Sequence, residues 1–391
     1  LTATPTDSDS VEIRYRQPRT LLLDYSHVLA DETAVIGSAA QVGADQYGAG
    51  GDVVTVTEDS IVAGPRSYWA VAFDDDGNDA AVGPVSINVG GFSFAGGALP
   101  AGASLTRSSD GWYRNSSGVV TLAGANVARF DHRWDGSAWV LAGVLVEPSA
   151  TNAYRYSQDA TNGAWTKQFC TAPTANTIIE SLDAVAQIHM IRQNYSYVAG
   201  QPFCLSVVAW ELTGSAKRYL TLSVPSGVFA TTGNQLAKFD LATGTVIITA
   251  GGNLTAGIEP AGAGKWRCWV AGTATATIST SASIGPHAQN NSFASYIGDG
   301  ASGIMVEHMQ IEAASRPTSI IPTTSAAVTR NADALVLDWS TNRHVPDGAM
   351  TTRYSFDDVS TQDVATTVAS GTATVPTTLN RRAILSAQKI S

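Results

Sequence analysis

The sequence predicts an all-β fold, built as a string of β-sandwich domains. Three observations carry that prediction. Short runs of Val, Ile, Thr and aromatic residues alternate with polar ones and are cut by Gly, Asn, Asp and Pro. No stretch sustains a helical spacing of apolar residues; the nearest is Thr177–Arg192, and Gln187–Tyr197 reads better as a strand. The composition, 44% hydrophobic and 14% charged over 391 residues, favours a packed core over disorder. Many short strands without long helices make sandwiches or barrels.

Residues 1–90 carry strand patterns at Leu1–Ala3, Val11–Arg16, Leu21–Val28, Val53–Thr57, Tyr68–Phe73 and Val85–Val89. Between the last two, DDDGNDAAVGP reads as a Gly-centred hairpin. This order resembles a fibronectin type III module, with LTATPTDSDSVEIRY as its first two strands and Tyr68 near the usual tyrosine position. Asp74, Asp75, Asp76, Asn78 and Asp79 suggest calcium only superficially. Ala72 would occupy the first ligand position of an EF-type loop, so a solvated turn is expected.

Residues 91–150 read as a connector. Here an ordered series begins: Leu105-Thr106-Arg107, Gly111–Tyr113, Gly118-Val119, Asn126, Arg129-Phe130-Asp131, Gly143–Pro148 and Thr151-Asn152. It continues through Tyr156-Ser157-Gln158, Trp165-Thr166-Lys167, Phe239-Asp240-Leu241, Gly244-Thr245, Lys265–Cys268 and Gln310-Ile311-Glu312. Arg316–Ser319, Ile321-Pro322-Thr323, Val328-Thr329-Arg330, Ala332-Asp333, Arg353-Tyr354, Phe356-Asp357-Asp358 and Pro376–Leu379 complete it. In this series residues 91–391 resemble the carbohydrate-binding spike and fibre proteins of tailed phages and phage-derived gene transfer agents, head spike fibres included. Two positions depart from the pattern: Ile320 stands where a Tyr is usual, and Val208–Glu211 replaces a common tyrosine-valine-lysine strand.

Residues 151–333 are expected to form the main core, for which the resemblance implies a jelly-roll sandwich of the carbohydrate-binding-module kind. In Phe203–Glu211 the odd positions Phe203, Leu205, Val207 and Ala209 make one apolar face, and in Arg218–Val224 Leu220, Leu222 and Val224 make another. Around Ile304–Glu312 the parity slips: Ile304 and Val306 share one face, Met309 and Ile311 the opposite one. A β-bulge near Glu307 and His308 would absorb that slip. Residues 334–391 read as strands again. About 55 residues is marginal for an independent core, so this part is expected to lean on the preceding domain or on a neighbouring chain.

A net charge of −10 argues against nucleic acid and against electrostatic docking on anionic lipid. No apolar run approaches the ~20 residues of a membrane helix. The opening LTATPTDSDS has neither a basic n-region nor an apolar h-region and does not read as a signal peptide; without an initiator Met, the natural start is expected upstream. Cys170, Cys204 and Cys268 are too few and too widely spaced for a disulfide framework and read as buried small hydrophobes. The six histidines show no ligand spacing, so no metal and no cofactor is expected. Gly262-Ala263-Gly264-Lys265 is not a P-loop, since Trp266 follows the Lys and the leading Gly is missing. Ser386–Lys389 matches S-x-x-K without companion motifs.

Sugars need a flat apolar surface for the C–H face of the ring and planar polar groups for the hydroxyls. Trp210 and Tyr219 fall opposite the inferred core faces, and Trp269 shares a face with Arg267. With His189, and with Phe293 and Tyr296 from the loop NNSFASYIGDG, they are the expected carbohydrate-binding residues. Catalytic residues are not expected. Glu211, Glu307 and Glu312 are the carboxylates to examine for glycoside hydrolysis. The expected function is a surface spike or fibre protein of a phage-like particle, made in the bacterial cytoplasm. It would adhere as a homo-oligomer, or seated on another particle protein, to host polysaccharide such as capsule. The alternatives are a glycan depolymerase and a purely structural decoration protein.

Overall fold

The computed structural model describes residues 91–390 apart from 215–217, 234, 290–292 and 341–344, and, in the first ninety residues, the backbone of seven strands. The fold is all-β: the described residues contain no α-helix, and Thr177–Arg192 contributes the strands Thr177–Glu180 and Met190–Tyr197.

The seven N-terminal strands make two antiparallel sheets. Thr2–Pro5, Val11–Arg16 and Val53–Glu58 form one, in that order. Ala40–Gln46, Leu23–Asp31, Gly64–Asp74 and Asp79–Val89 form the other. Tyr68 lies on the third strand of that sheet, opposite Ala30 and Val85. The aspartate-rich turn between Asp74 and Asp79 lies outside the described residues.

Two compact units divide the chain, and neither is continuous in sequence. One comprises residues 1–106, 142–146 and 334–391; the other comprises residues 107–141 and 147–333. The expected boundary at 333 coincides with a division between units, whereas the connector 91–150 is shared out between them. The reason is strand pairing. In the first unit Ala103–Thr106 pairs with Ala334–Asp338, Gly91–Ser93 with Ser386–Lys389, and Val144-Leu145 with Ala383-Ile384. The short C-terminal segment thus completes its core with strands from earlier in its own chain, burying Phe92 against Trp339 at 4.9 Å and enclosing Leu335, Tyr354 and Ile384. The S-x-x-K segment is the strand Ser386–Lys389, paired on both sides.

The second unit is a sandwich of two six-stranded antiparallel sheets. In the first sheet the order is Thr166–Gln168, Met190–Tyr197, Ile278–His287, Tyr219–Val224, Gln235–Asp240, Thr245–Ala250. In the second it is Cys170-Thr171, Thr177–Glu180, Gly303–Glu312, Pro202–Glu211, Lys265–Thr273, Thr255–Gly262. The alternation in sequence fills the space between them: Phe203, Leu205, Val207 and Ala209 meet Leu220, Leu222, Val224, Ile284, Val306 and Ile311 in one core. The bulge sits where the parity slips. Ser206 pairs with Gln310 and Val208 with Glu307, so Val207 faces both His308 and Met309. His308 takes a left-handed φ of 52°, which turns Ile304, Val306, Met309 and Ile311 all into the core.

The outer face of the second sheet is also buried. Cys204, Ser206 and Val208 are solvent-free, because residues 107–141 and the segment around Ile320 lie over them, with Val120, Val208, Ala261 and Ile320 in contact. That layer is held by buried charge. Asp333 accepts from Arg107 Nη1 at 3.0 Å and from Arg129 Nη2 at 2.6 Å, and Glu147 accepts from Arg129 Nη2 at 2.8 Å. Arg330 lies 3.6 Å from Glu147 and 3.8 Å from Asp333, and all five side chains are buried.

Candidate saccharide-binding pocket

At one end of that covered face lies an open cavity of about 300 Å³, lined by Arg114, Gly118, Val119, Val120, Trp139, Ala261, Gly262, Ala263, Lys265, Glu307 and His308. Its volume is at the lower end of the range for small-molecule sites.

Two walls come from the 107–141 layer. The hairpin Gly111–Arg114/Val120–Ala123 turns over Asn115, whose Oδ1 accepts the N–H groups of Ser117 and Val119. Gly118 closes the turn with φ 77°, and a Cβ there would overlap the Trp139 indole, so glycine is required on both counts. Trp139 is braced edge-on by Trp134 at 5.6 Å, and the Arg114 guanidinium lies 5.3 Å from its ring. Arg114 Nη1 also donates to Gly118 O at 3.1 Å, which ties the cation to the turn.

The remaining walls belong to the second sheet. Gly262-Ala263-Gly264-Lys265, dismissed as a phosphate loop, is the tight hairpin joining Thr255–Gly262 to Lys265–Thr273. It brings Lys265 to Glu307, with Nζ 3.1 and 3.2 Å from the two carboxylate oxygens. The bulge delivers Glu307 and His308 as consecutive residues. Gln158 Nε2 donates to His308 Nδ1 at 3.0 Å, which leaves the hydrogen of the neutral ring on Nε2. Burial, and then the charges of Arg114, Arg267 and Lys265, push His308 down to about 3, so the ring is neutral near pH 7. The pocket therefore combines an indole wall, one carboxylate acceptor and three donors of hydrogen bonds.

The seven residues expected to bind sugar fall into two groups on opposite sheets, so Trp210, Tyr219 and Trp269 do not share one surface. The chain changes sheets between Glu211 and Tyr219, which sends Trp210 and Tyr219 to different faces of the sandwich. Trp210, Arg267 and Trp269 do share the outer face of the second sheet. Trp210 stands behind the pocket: Lys265 Nζ rests 4.1 Å from its ring, so the indole positions that ammonium. Arg267 is buried, donating to Thr318 O at 2.6 Å and Ser206 Oγ at 3.1 Å, and is a structural tie rather than a ligand contact. Trp269 is half-buried and lies over Gly257 on the edge strand, where a Cβ would overlap the ring. It lies on the neighbouring strand opposite Ser206, four residue positions from Trp210 and so about 13 Å away along the strand direction.

His189, Tyr219, Phe293 and Tyr296 meet on the outer side of the first sheet, where their rings are engaged with neighbours inside the fold. His189 packs on Tyr296 at 4.4 Å and His287 on Tyr296 at 5.1 Å. Tyr296 Oη donates to Glu180 at 2.7 Å, and Glu180 is held by Arg218 at 2.7 and 2.8 Å. His189 Nε2 donates to Asp183 at 2.6 Å. Tyr219 and Phe293 flank the Lys238 ammonium at 5.8 and 5.4 Å, and burial lowers that lysine to about 8.

Of the three carboxylates, Glu312 is wholly buried and accepts from Thr318 N–H, Thr318 Oγ1 and Gln310 Nε2, with burial raising its pKa. Glu307 lines the pocket and Glu211 does not. Trp139 and Arg114 were missed by sequence reasoning; the glycines that seat the indole, Gly118 and Gly262, were the available signal. Among the described residues no group of three or more His, Cys, Asp or Glu is placed to hold a metal ion. No protein-family model matches the chain, and no curated protein matches it.

Proposed function

We propose that the chain is a non-catalytic saccharide-binding protein of a phage-like particle surface, and that it holds host polysaccharide in the pocket of Trp139, Arg114, Lys265, Glu307 and His308. One observation carries this reading: an indole wall faces a polar lining that offers both donors and an acceptor, the complement of a pyranose with an apolar face and equatorial hydroxyls. The carboxylates support binding without cleavage. Glycoside hydrolysis needs two, about 5–9.5 Å apart. Glu307 is the one acidic residue of this lining, and it is ion-paired to Lys265. The particle context rests on the ordered resemblance over residues 91–391. That resemblance is carried largely by buried scaffold residues such as Arg107, Arg129, Glu147, Glu312, Arg330 and Asp333. Of the pocket lining, Gly118, Val119 and Lys265 belong to that series, whereas Trp139 and Arg114 stand outside it.

Adsorption to capsulated host cells tests the reading. Trp139→Ala, with unchanged melting, is expected to lose about 0.5–1.5 kcal/mol per site, roughly three- to tenfold, and more on a multivalent particle. Unaltered adsorption would exclude the pocket. New reducing ends in purified capsule incubated with the protein would make it a depolymerase.

A further inference from the structure

In the first unit, Thr361–Val368 is the edge strand of the sheet that also holds Gly348–Ser355, Ser386–Lys389 and Gly91–Ser93. It pairs with Gly348–Ser355 along one side, and among the described residues no strand pairs with the other. An edge of this kind is a template for another chain, and natural proteins blunt it with Lys, Pro, bulges or brevity. None of these devices is present. The strand is eight residues long, its register runs without a shift, and TQDVATTV contains neither Lys nor Pro. Its one charge, Asp363, is paired with Arg353 at 2.7 and 2.8 Å.

The core is open along the same edge. On the inward face Met350, Thr352 and Tyr354 are buried, yet the residues opposite them, Thr366, Val364 and Gln362, are only half-buried. The pairing also fixes where the main chain points. Thr351 O and Ser355 O accept from the N–H groups of Ile390 and Leu385, on the side away from the edge. By alternation Met350, Thr352 and Tyr354 bond toward the edge strand, where Thr366, Val364 and Gln362 return those bonds. Thr361, Asp363, Ala365 and Thr367 therefore turn N–H and C=O to the outer side. Their side chains are exposed as well. The segment is close to a palindrome about Val364: Thr361 mirrors Thr367, Gln362 mirrors Thr366, and Asp363 mirrors Ala365. From this geometry we infer that the edge pairs antiparallel with the same strand of a second copy of the chain, on a two-fold axis at Val364. All four outward residues then find main-chain partners, and Asp363 faces Ala365 rather than another acid. The two Val364 side chains, on Cα atoms about 4.5 Å apart, close the open core.

Cysteine cross-linking of the full chain tests the register, and sedimentation tests the mass. Val364→Cys is expected to give a disulfide-linked dimer on mild oxidation, because facing Cα atoms fall in the ~4.4–6.8 Å that a disulfide spans. Thr367→Cys, about 20 Å from its symmetry mate, is expected to give none. The native Cys170, Cys204 and Cys268 are buried and do not compete. Ala365→Pro removes an N–H that the single chain does not use in its sheet, so the fold is kept, while the dimer dissociation constant rises about tenfold or more. Should that variant fail to fold, the cysteine pair decides. A wild-type chain that stays monomeric at every concentration would overturn the inference and give the edge to a different protein. A dimer without the cross-link at 364 would overturn it as well. Equal cross-linking at 364 and 367 would mean parallel, in-register association and would also refute it.

Discussion

Asp333→Asn is the sharpest probe of what holds the layer over the second sheet. The substitution keeps the side-chain shape and removes one charge. Asp333 accepts from Arg107 Nη1 at 3.0 Å, Arg129 Nη2 at 2.6 Å and the Glu147 N–H at 2.9 Å. The buried cluster contains Arg107, Arg129 and Arg330 against Glu147 and Asp333. With Asp333 neutral, three guanidiniums share one carboxylate, and the amide turns a donor toward groups that only donate. Breaking a buried pair in this way costs about 3–5 kcal/mol. At roughly 2–4 °C per kcal/mol for a unit of this size, the melting point falls by about 6–20 °C. Arg129→Met is expected to cost less, because the remaining Arg107 and Arg330 then balance Glu147 and Asp333 one to one. Thermal and urea unfolding of the two variants decide the matter. Asp333→Asn within about 0.5 kcal/mol of wild type, or Arg129→Met the more damaging of the two, would show that charge balance is not what stabilises the cluster.

Acid stability should carry the mark of His308. Its folded value near 3 lies below the unfolded value of about 6.5, so only the unfolded chain gains a proton between them, and stability falls as pH drops through that window. His308→Asn, which tolerates the left-handed backbone, is expected to flatten part of the fall in urea midpoints between about pH 4 and 7; identical slopes would refute it. The three thiols should be silent toward a thiol reagent in the native protein: burial raises all of them, Cys170 to about 11, and modification is expected only on unfolding. Prompt reaction of even one cysteine before the unfolding transition would contradict that burial.

What could be read from the sequence was local. Two-residue alternation located the strands Val11–Arg16, Val53–Glu58, Pro202–Glu211 and Tyr219–Val224 to within a residue or so, and a slip in parity located the bulge at His308. Ala40–Gln46 was overlooked because AQVGADQ carries Gly, Asp and Gln where a strand signal needs branched residues. Domain organisation was illegible for a different reason. The partner of Ala103–Thr106 is Ala334–Asp338, and no local pattern announces a pairing at that separation. The binding surface failed on the same ground. Facing within one strand fixes which side chains leave the core, but not what then covers them. Trp210 and Arg267 did leave the core, Trp210 to lie against Lys265 and Arg267 to donate to Thr318 O.

The ends of the long sandwich segment are fastened to each other. Asp333 N–H donates to Glu147 O at 3.0 Å, Glu147 N–H donates to the Asp333 carboxylate, and Ala150–Asn152 then runs antiparallel to Val328–Arg330. Everything between these points starts and finishes at one clasp. Such a segment behaves as a graft: a relative's sandwich of different length, cut at the same clasp, keeps the spacing of its two splice points whatever its loops contain. Exchange of the segment by recombination then requires two crossovers, and it would leave Arg114, Gly118 and Trp139 behind in the flank, so the pocket would be rebuilt on one side only.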